Sequence, residues 1–129
     1  METLKQSIGV FIGGGIGACL RYLIATSVQS RNPSEFPWGT FAVNVSGAFV
    51  VGLLMTVFVD HFEINPFWRF FLIVGILGGY TTFSALSWEA YELFSLGSYL
   101  HCAMYTLGSL IVGGLAVGAG AWVGQFFRL

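Results

Sequence analysis

The sequence predicts an all-α membrane protein of four spanning helices, with the third helix broken at its centre. Three observations carry this. Of the 129 residues, 56% are hydrophobic and 9% charged, with a mean hydropathy of +0.80, whereas soluble domains carry about 25% charged residues. Polar or proline-bearing stretches at residues 30–38, 60–66 and 96–98 divide the chain into four apolar segments, each near the roughly 20 residues a span needs. The third segment carries Gly78-Gly79-Tyr80-Thr81-Thr82-Phe83-Ser84 at its middle. Glycine costs about 1 kcal/mol against alanine inside a helix, and Ser and Thr draw hydrogen bonds away from the helix ladder. In hydrocarbon a freed backbone group needs protein, an ion or a wet cavity to meet it. The plainer alternative is a glycine packing notch whose hydroxyls bond back to their own helix.

The first span is expected over residues 4–28. Gly9, Gly13 and Gly17 recur every four residues, which puts three glycines on one face as a close-packing seam, and Gly14 and Gly15 widen it. This apolar stretch lacks a small-residue cleavage site and runs past signal-peptide length, so it is expected to remain as a span. Arg21 has two readings, a functional charge or a side chain snorkelling toward the loop that holds Arg31 and Pro33. Cys19 and Cys102 lie in apolar segments and read as small core hydrophobes, not as a disulfide or a metal pair.

The second span is expected over residues 39–59. Thr40, Asn44 and Gly47 share one face. A membrane-buried amide needs partners, so Asn44 reads either as glue between helices or as a donor to something passing by. His61 falls in the next loop and reads as solvated. The third span begins near Trp68 and Arg69, an interfacial pair, and runs through the break to Phe94. Glu89 and Glu92 face roughly the same way, at the headgroups or, for Glu89, in a vestibule.

A tight turn at Leu96-Gly97-Ser98 leads to the fourth span, residues 99–126. His101, Tyr105 and Ser109 form a polar line, Gly114/Gly118 and Gly120/Gly124 form packing pairs, and Trp122 and Arg128 anchor the end. Lys5, Arg69 and Arg128 on one side oppose Arg31, with or without Arg21, on the other. This is a weak positive-inside bias, compatible with insertion both ways and with antiparallel pairing of two copies.

The residue types exclude several chemistries. There is no Ser-His-Asp or Cys-His arrangement, no HExxH and no phosphate loop, so the chain does not read as an enzyme. A net charge of −1 gives no sign of nucleic-acid binding. What remains is a set of neutral donors and aromatic edges: Thr40, Asn44, Thr81, Thr82, Phe83, Ser84, Tyr105 and Ser109. Neutral donors replace the hydration of a small anion, and ring edges are positive. Without a fixed buried cation such a path binds weakly enough to release, as conduction requires. Carbonyls exposed at the helix break suit a cation instead.

Three stretches then resemble one family, the Fluc (CrcB) fluoride channels. Gly14-Gly15-Ile16-Gly17-Ala18-Cys19-Leu20-Arg21-Tyr22 resembles its first-span signature GGxxGAxxRY. Gly39-Thr40-Phe41-Ala42-Val43-Asn44-Val45-Ser46-Gly47 resembles GTLxVNxxG, and the third-span stretch resembles GGxTTFS. The resemblance covers essentially the whole chain, and three motifs in order on successive spans are highly specific. It implies a single four-span transmembrane domain, residues 1–129, in the bacterial inner membrane among its lipids. It implies an antiparallel, dual-topology homodimer that passively exports fluoride from the cytoplasm and so lowers fluoride toxicity.

By motif position the resemblance puts the pore on Phe83 and Asn44, with Thr40 and Ser84 beside them, Tyr105 and Ser109 on the fourth-span polar track, and Arg21 near a vestibule. A structural, untransported sodium ion would be held by the backbone carbonyls of Gly78 and Thr81. Glu89 matches a common family glutamate. One departure stands out: the family usually has TTFSxF, and here Leu86 occupies the second phenylalanine position. Two rival readings are a small multidrug-type proton antiporter, which needs a deep carboxylate that span one does not supply, and a non-transporting structural subunit.

Overall fold

A computed structural model describes residues 1–60 and 64–127. The expectations for His61 and Arg128 lie outside the described residues. Four helices are long and apolar enough to cross a membrane: Glu2–Arg31, Trp38–Phe58, Pro66–Ser95 and Tyr99–Gln125.

Helix α1, Glu2–Arg31, is 30 residues long and so about 45 Å from end to end. It outruns the predicted span at both ends. At its far end Gln29 organises the first loop. Its Oε1 accepts from the Gly39 amide at 3.1 Å, and its Nε2 donates to the carbonyls of Ser34 and Phe36 at 3.3 Å each. Helix α2, Trp38–Asp60, follows at once.

The third span is composite. Asn65 caps α3, Pro66–Arg69, by accepting from the Phe67 amide at 2.9 Å. Residues Phe70–Leu77 continue as a π-helix, and α4, Gly78–Tyr80, ends the first half. Thr81 and Thr82 are extended, with ψ of 156° and 120°, before α5, Phe83–Ser95, begins. The predicted break therefore falls at Thr81-Thr82. The π-helix was not predicted, because nothing in Phe-Phe-Leu-Ile-Val-Gly-Ile-Leu distinguishes π from α winding. Gly97, at φ 76°, makes the turn into α6, Tyr99–Gln125.

Glycines set two close interfaces. On α1, Gly9, Gly13 and Gly17 are buried, as the four-residue spacing predicts, Gly9 against the Phe67 ring of α3 and Gly13 and Gly17 against the π-helix and α4. A side chain at Gly17 would run into the Ile76 carbonyl oxygen and come within 2.8 Å of the Tyr80 nitrogen. One at Gly79 would meet Gly14 Cα at 2.9 Å. Between α2 and α6, Gly52 faces the Val117 carbonyl and Gly120 the Phe49 carbonyl. The Gly120/Gly124 pair thus packs as expected. Gly114, Gly118 and Gly15 differ from expectation: nothing lies within 4 Å of where their side chains would begin, so they take no part in packing within this chain. Cys102 is half-buried and donates to the Ala90 carbonyl at 3.3 Å, whereas Cys19 is exposed rather than in the core.

Candidate functional site

The helix break is held by one side chain. Asn44, on α2, pairs with both backbone groups of Thr82: its Oδ1 accepts from the Thr82 amide at 2.8 Å and its Nδ2 donates to the Thr82 carbonyl at 3.0 Å. The two-residue break at Thr81-Thr82 would otherwise leave these groups orphaned in hydrocarbon. The Thr82 hydroxyl caps α5 by accepting from the Ala85 amide at 3.2 Å. Ser46 and Tyr80 add a hydroxyl-to-hydroxyl contact of 2.8 Å between α2 and α4. Asn44 therefore is glue between helices. One Nδ2 hydrogen is left over by that pairing, since the amide carries two.

The same bonding frees two carbonyls. In a continuous helix the Thr82 and Ala85 amides would close onto the Gly78 and Thr81 carbonyls. Here those amides go to Asn44 Oδ1 and Thr82 Oγ1. Gly78 is exposed and Thr81 half-buried. Neutral carbonyl oxygens of this kind fit a hard monovalent cation, and two from one chain make only part of a coordination shell.

Above the break lies a cavity of about 470 Å³, lined by Asn44, Thr81, Thr82, Phe83, Leu86 and Ser109 among others. Its lining is mostly apolar. Phe83 is 80% exposed, so its ring stands away from the body of this chain. Leu86 lines the cavity and also packs against the buried cluster of Phe36, Leu93 and Tyr105. Ser109 Oγ is buried without a hydrogen-bond partner among the described residues. A buried hydroxyl left unpaired is costly and calls for a visitor or a water.

One helical turn away on both α2 and α6 stand Thr40 and Tyr105, at 8% and 0% exposure. Both donate to Glu89 of α5: Thr40 Oγ1 to Oε1 at 2.7 Å, and Tyr105 OH to Oε2. The Thr40, Asn44, Gly47 face and the Tyr105, Ser109 line therefore meet through Glu89, a contact between helices that spacing along one helix does not foretell. Glu89 and Glu92 do not face the same way: Glu89 points inward, Glu92 is exposed. Beyond Glu89 lies a second cavity of about 680 Å³, lined by Gln29, Ser34, Glu35, Thr40 and Glu89 among others.

Not every predicted residue joins this line. Arg21 is half-buried on α1, lines neither cavity, and has no hydrogen bond or ion pair among the described residues; it lies one turn from Ala25, which lines the second cavity. Ser84 is exposed, its hydroxyl 3.4 Å from that of Thr82, and it too lines neither cavity. His101, the third member of the polar line, sits at the turn with Ser98 at 3.0 Å. Sequence reasoning missed Gln29, whose only signal is a long amide at the end of a helix facing a proline-rich loop.

These features define a class: a multi-pass membrane protein of four helices with a neutral polar line beside a broken third span. The chain belongs to the CrcB family, since the family model described as "CrcB-like protein, Camphor Resistance (CrcB)" matches residues 8–121. Its relatives carry the name fluoride-specific ion channel FluC. The protein of that name from Solibacter usitatus (strain Ellin6076) is 45% identical over 112 residues, 87% of this chain and 92% of its own. That from Bacteroides fragilis (strain YCH46) is 41% identical over 128 residues, 97% of this chain and all of its own. That from Agrobacterium fabrum is 43% identical over 116 residues, 90% of this chain and 93% of its own.

Proposed function

We propose that this chain is a fluoride-selective channel, not an enzyme, that lets fluoride leave the bacterial cytoplasm passively across the inner membrane and so lowers its toxicity. The observation that carries this reading is the unpartnered Ser109 hydroxyl, buried in the same cavity as Asn44 and Phe83. The relatives' shared name points to the same ion. Fluoride leaves water for a path of neutral donors: the spare Nδ2 hydrogen of Asn44, the Ser109 hydroxyl and the positive edge of Phe83. No fixed positive charge is assigned to the path, so the ion is held loosely and released. Thr40 and Tyr105 continue the donor line on one side, Ser84 lies beside Phe83, and Arg21 serves the vestibule through its charge.

The assembly is an antiparallel, dual-topology homodimer. Two copies so arranged bring two Gly78 and two Thr81 carbonyls together, a set of four neutral oxygens suited to a structural sodium ion. That ion gives the freed carbonyl oxygens a partner in place of their lost helix hydrogen bonds and is not transported. Exhaustive replacement of sodium by a large organic cation is expected to weaken the dimer and stop fluoride flux; an unchanged dimer and unchanged flux would remove Gly78 and Thr81 from this role. Fluoride efflux from liposomes holding the purified protein, followed with a fluoride electrode, tests the reading as a whole. Efflux at the protein-free rate would overturn it.

A further inference from the structure

The entrance to the outer cavity carries a titratable cluster that the polar line does not use. Glu35, in the first loop, lines that cavity of about 680 Å³. At the start of α6, Ser98 Oγ lies 2.8 Å from Glu35 Oε2 and 3.0 Å from His101 Nδ1, and His101 Nδ1 stands 3.7 Å from the same carboxylate oxygen. Ser98 has one hydrogen, which goes to Glu35, so its oxygen accepts from His101 Nδ1–H. The network thereby assigns the tautomer and leaves Nε2 to take up a proton without breaking either bond. The loop is held independently of this cluster: Gln29 Nε2 donates to the carbonyls of Ser34 and Phe36, on either side of Glu35. A proton on His101 therefore changes the charge at the entrance and leaves its shape alone. No other ion pair balances Glu35 among the described residues; Arg31, at the end of α1, is exposed and makes none. On α5, the Glu89 carboxylate is engaged by Thr40 and Tyr105, and Glu92 is exposed. The N-terminus of α6, where Ser98 makes no side-chain cap, adds partial positive charge. On its other side His101 meets a cavity of about 440 Å³ lined by Ser34, Phe36, Trp38 and Phe41, none of them charged.

We propose that His101 and Glu35 form a pH-dependent entrance, which admits fluoride to the outer cavity faster when His101 is protonated than when it is neutral. This rests on the fluoride-channel reading above. Imidazole is the side chain whose charge changes between about pH 5 and 8. Beside a neutral His101, the Glu35 carboxylate stands unbalanced at the entrance and repels an arriving anion. With a proton from solvent on Nε2, the imidazolium offsets that charge from 3.7 Å away. A cleft with low-dielectric walls focuses the field of the charges that line it, so a change of one charge there alters the rate at which ions arrive. Both side chains are partly exposed, at 45% for His101 and 68% for Glu35, so dissolved salt screens the effect. His101 acts on arrival alone, while Asn44 and Ser109 contact the ion in the inner cavity.

The test uses full-length protein in liposomes, with efflux of dilute fluoride measured at about pH 7.5 and about pH 5.5 in low salt. Protein-free liposomes at each pH supply the leak of hydrogen fluoride, which is subtracted. Wild-type flux is expected to be about threefold higher at the lower pH, and the ratio is expected to fall toward one in high salt. His101→Gln keeps a hydrogen-bonding side chain but takes no proton, so its flux is expected to be the same at the two pH values. Equal wild-type flux at both pH values would overturn the proposal, as would a His101→Gln protein that keeps the wild-type ratio. A ratio that survives high salt would also overturn it, since it would report a change of shape instead of charge. Glu35→Gln carries the test if His101→Gln does not fold. Removal of the carboxylate is expected to raise flux about threefold at the higher pH; no rise would overturn the proposal. If wild-type protein moves no fluoride at either pH, the channel reading fails first, and that failure is distinct from all of these outcomes.

Discussion

The two halves of the third span solve opposite problems. Before the break, residues 66–80 lie against the glycine face of α1, backbone to backbone, with no side chain between Gly13 and Gly75 or between Gly17 and Ile76. After the break, α5 lies beside α6 with polar groups inserted and a cavity on one face. The first interface gains dispersion contact at every point and offers an ion nothing. The second leaves space and accepts the cost of buried hydroxyls, which is the mark of a site. Between them Asn44 carries the discontinuity, since it satisfies the backbone that the break exposes.

The largest effect is expected where the packed half has no room at all. Gly17→Val would force a branched side chain into the Ile76 carbonyl and the Tyr80 nitrogen, neither of which can move without unwinding the helix. Destabilisation of about 3 kcal/mol is expected, with loss of monodisperse protein in detergent. A normally folded Gly17→Val protein would show that α1 and the π-helix are not packed as described.

Next comes the link between the halves. Asn44→Ala leaves both the Thr82 amide and the Thr82 carbonyl unpaired, at about 1–3 kcal/mol for each buried group. A lower melting midpoint and a fall of about tenfold or more in fluoride flux are expected together. Asn44→Asp keeps the acceptor for the Thr82 amide, so it should melt above Asn44→Ala. Equal melting of Asn44→Ala and wild type would mean that Asn44 does not brace the break.

The smallest effect sharpens the contrast. Gly15→Ala lies two residues from the seam with nothing within 4 Å of the new methyl. A change within about 0.5 kcal/mol is expected, and alanine's better helix propensity favours a small gain. A loss comparable to that of Gly17→Val would place a second chain or another partner on that face.

How legible this was in the sequence differs between the halves in the same way. The seam Gly9, Gly13, Gly17 follows from helical periodicity alone, and so does the line Tyr105, Ser109, because both are properties of one helix. Residue spacing also located the weak point at the double glycine and double threonine. Contacts between helices were not legible. Nothing local says that Glu89 turns inward while Glu92, three residues on, faces out, or that Asn44 pairs with Thr82 rather than with a neighbouring helix side chain. Gly114 and Gly118 have the same spacing as Gly120 and Gly124 but meet nothing within this chain, because spacing reports which residues share a face and not what lies opposite. Leu86 stands where the family pattern has a second phenylalanine, and its place between the inner cavity and the Tyr105 cluster gives it a packing role that an aromatic ring would also fill.

The central claim is that the open half carries the ion and the packed half only holds it in place. Fluoride efflux from liposomes containing Phe83→Ile, compared with wild type, tests this most directly. Phe83 is 80% exposed, so the substitution leaves folding within the chain untouched and changes only what faces the cavity. The account predicts wild-type melting with fluoride flux reduced by about tenfold or more. Full fluoride flux from a folded Phe83→Ile protein would contradict it.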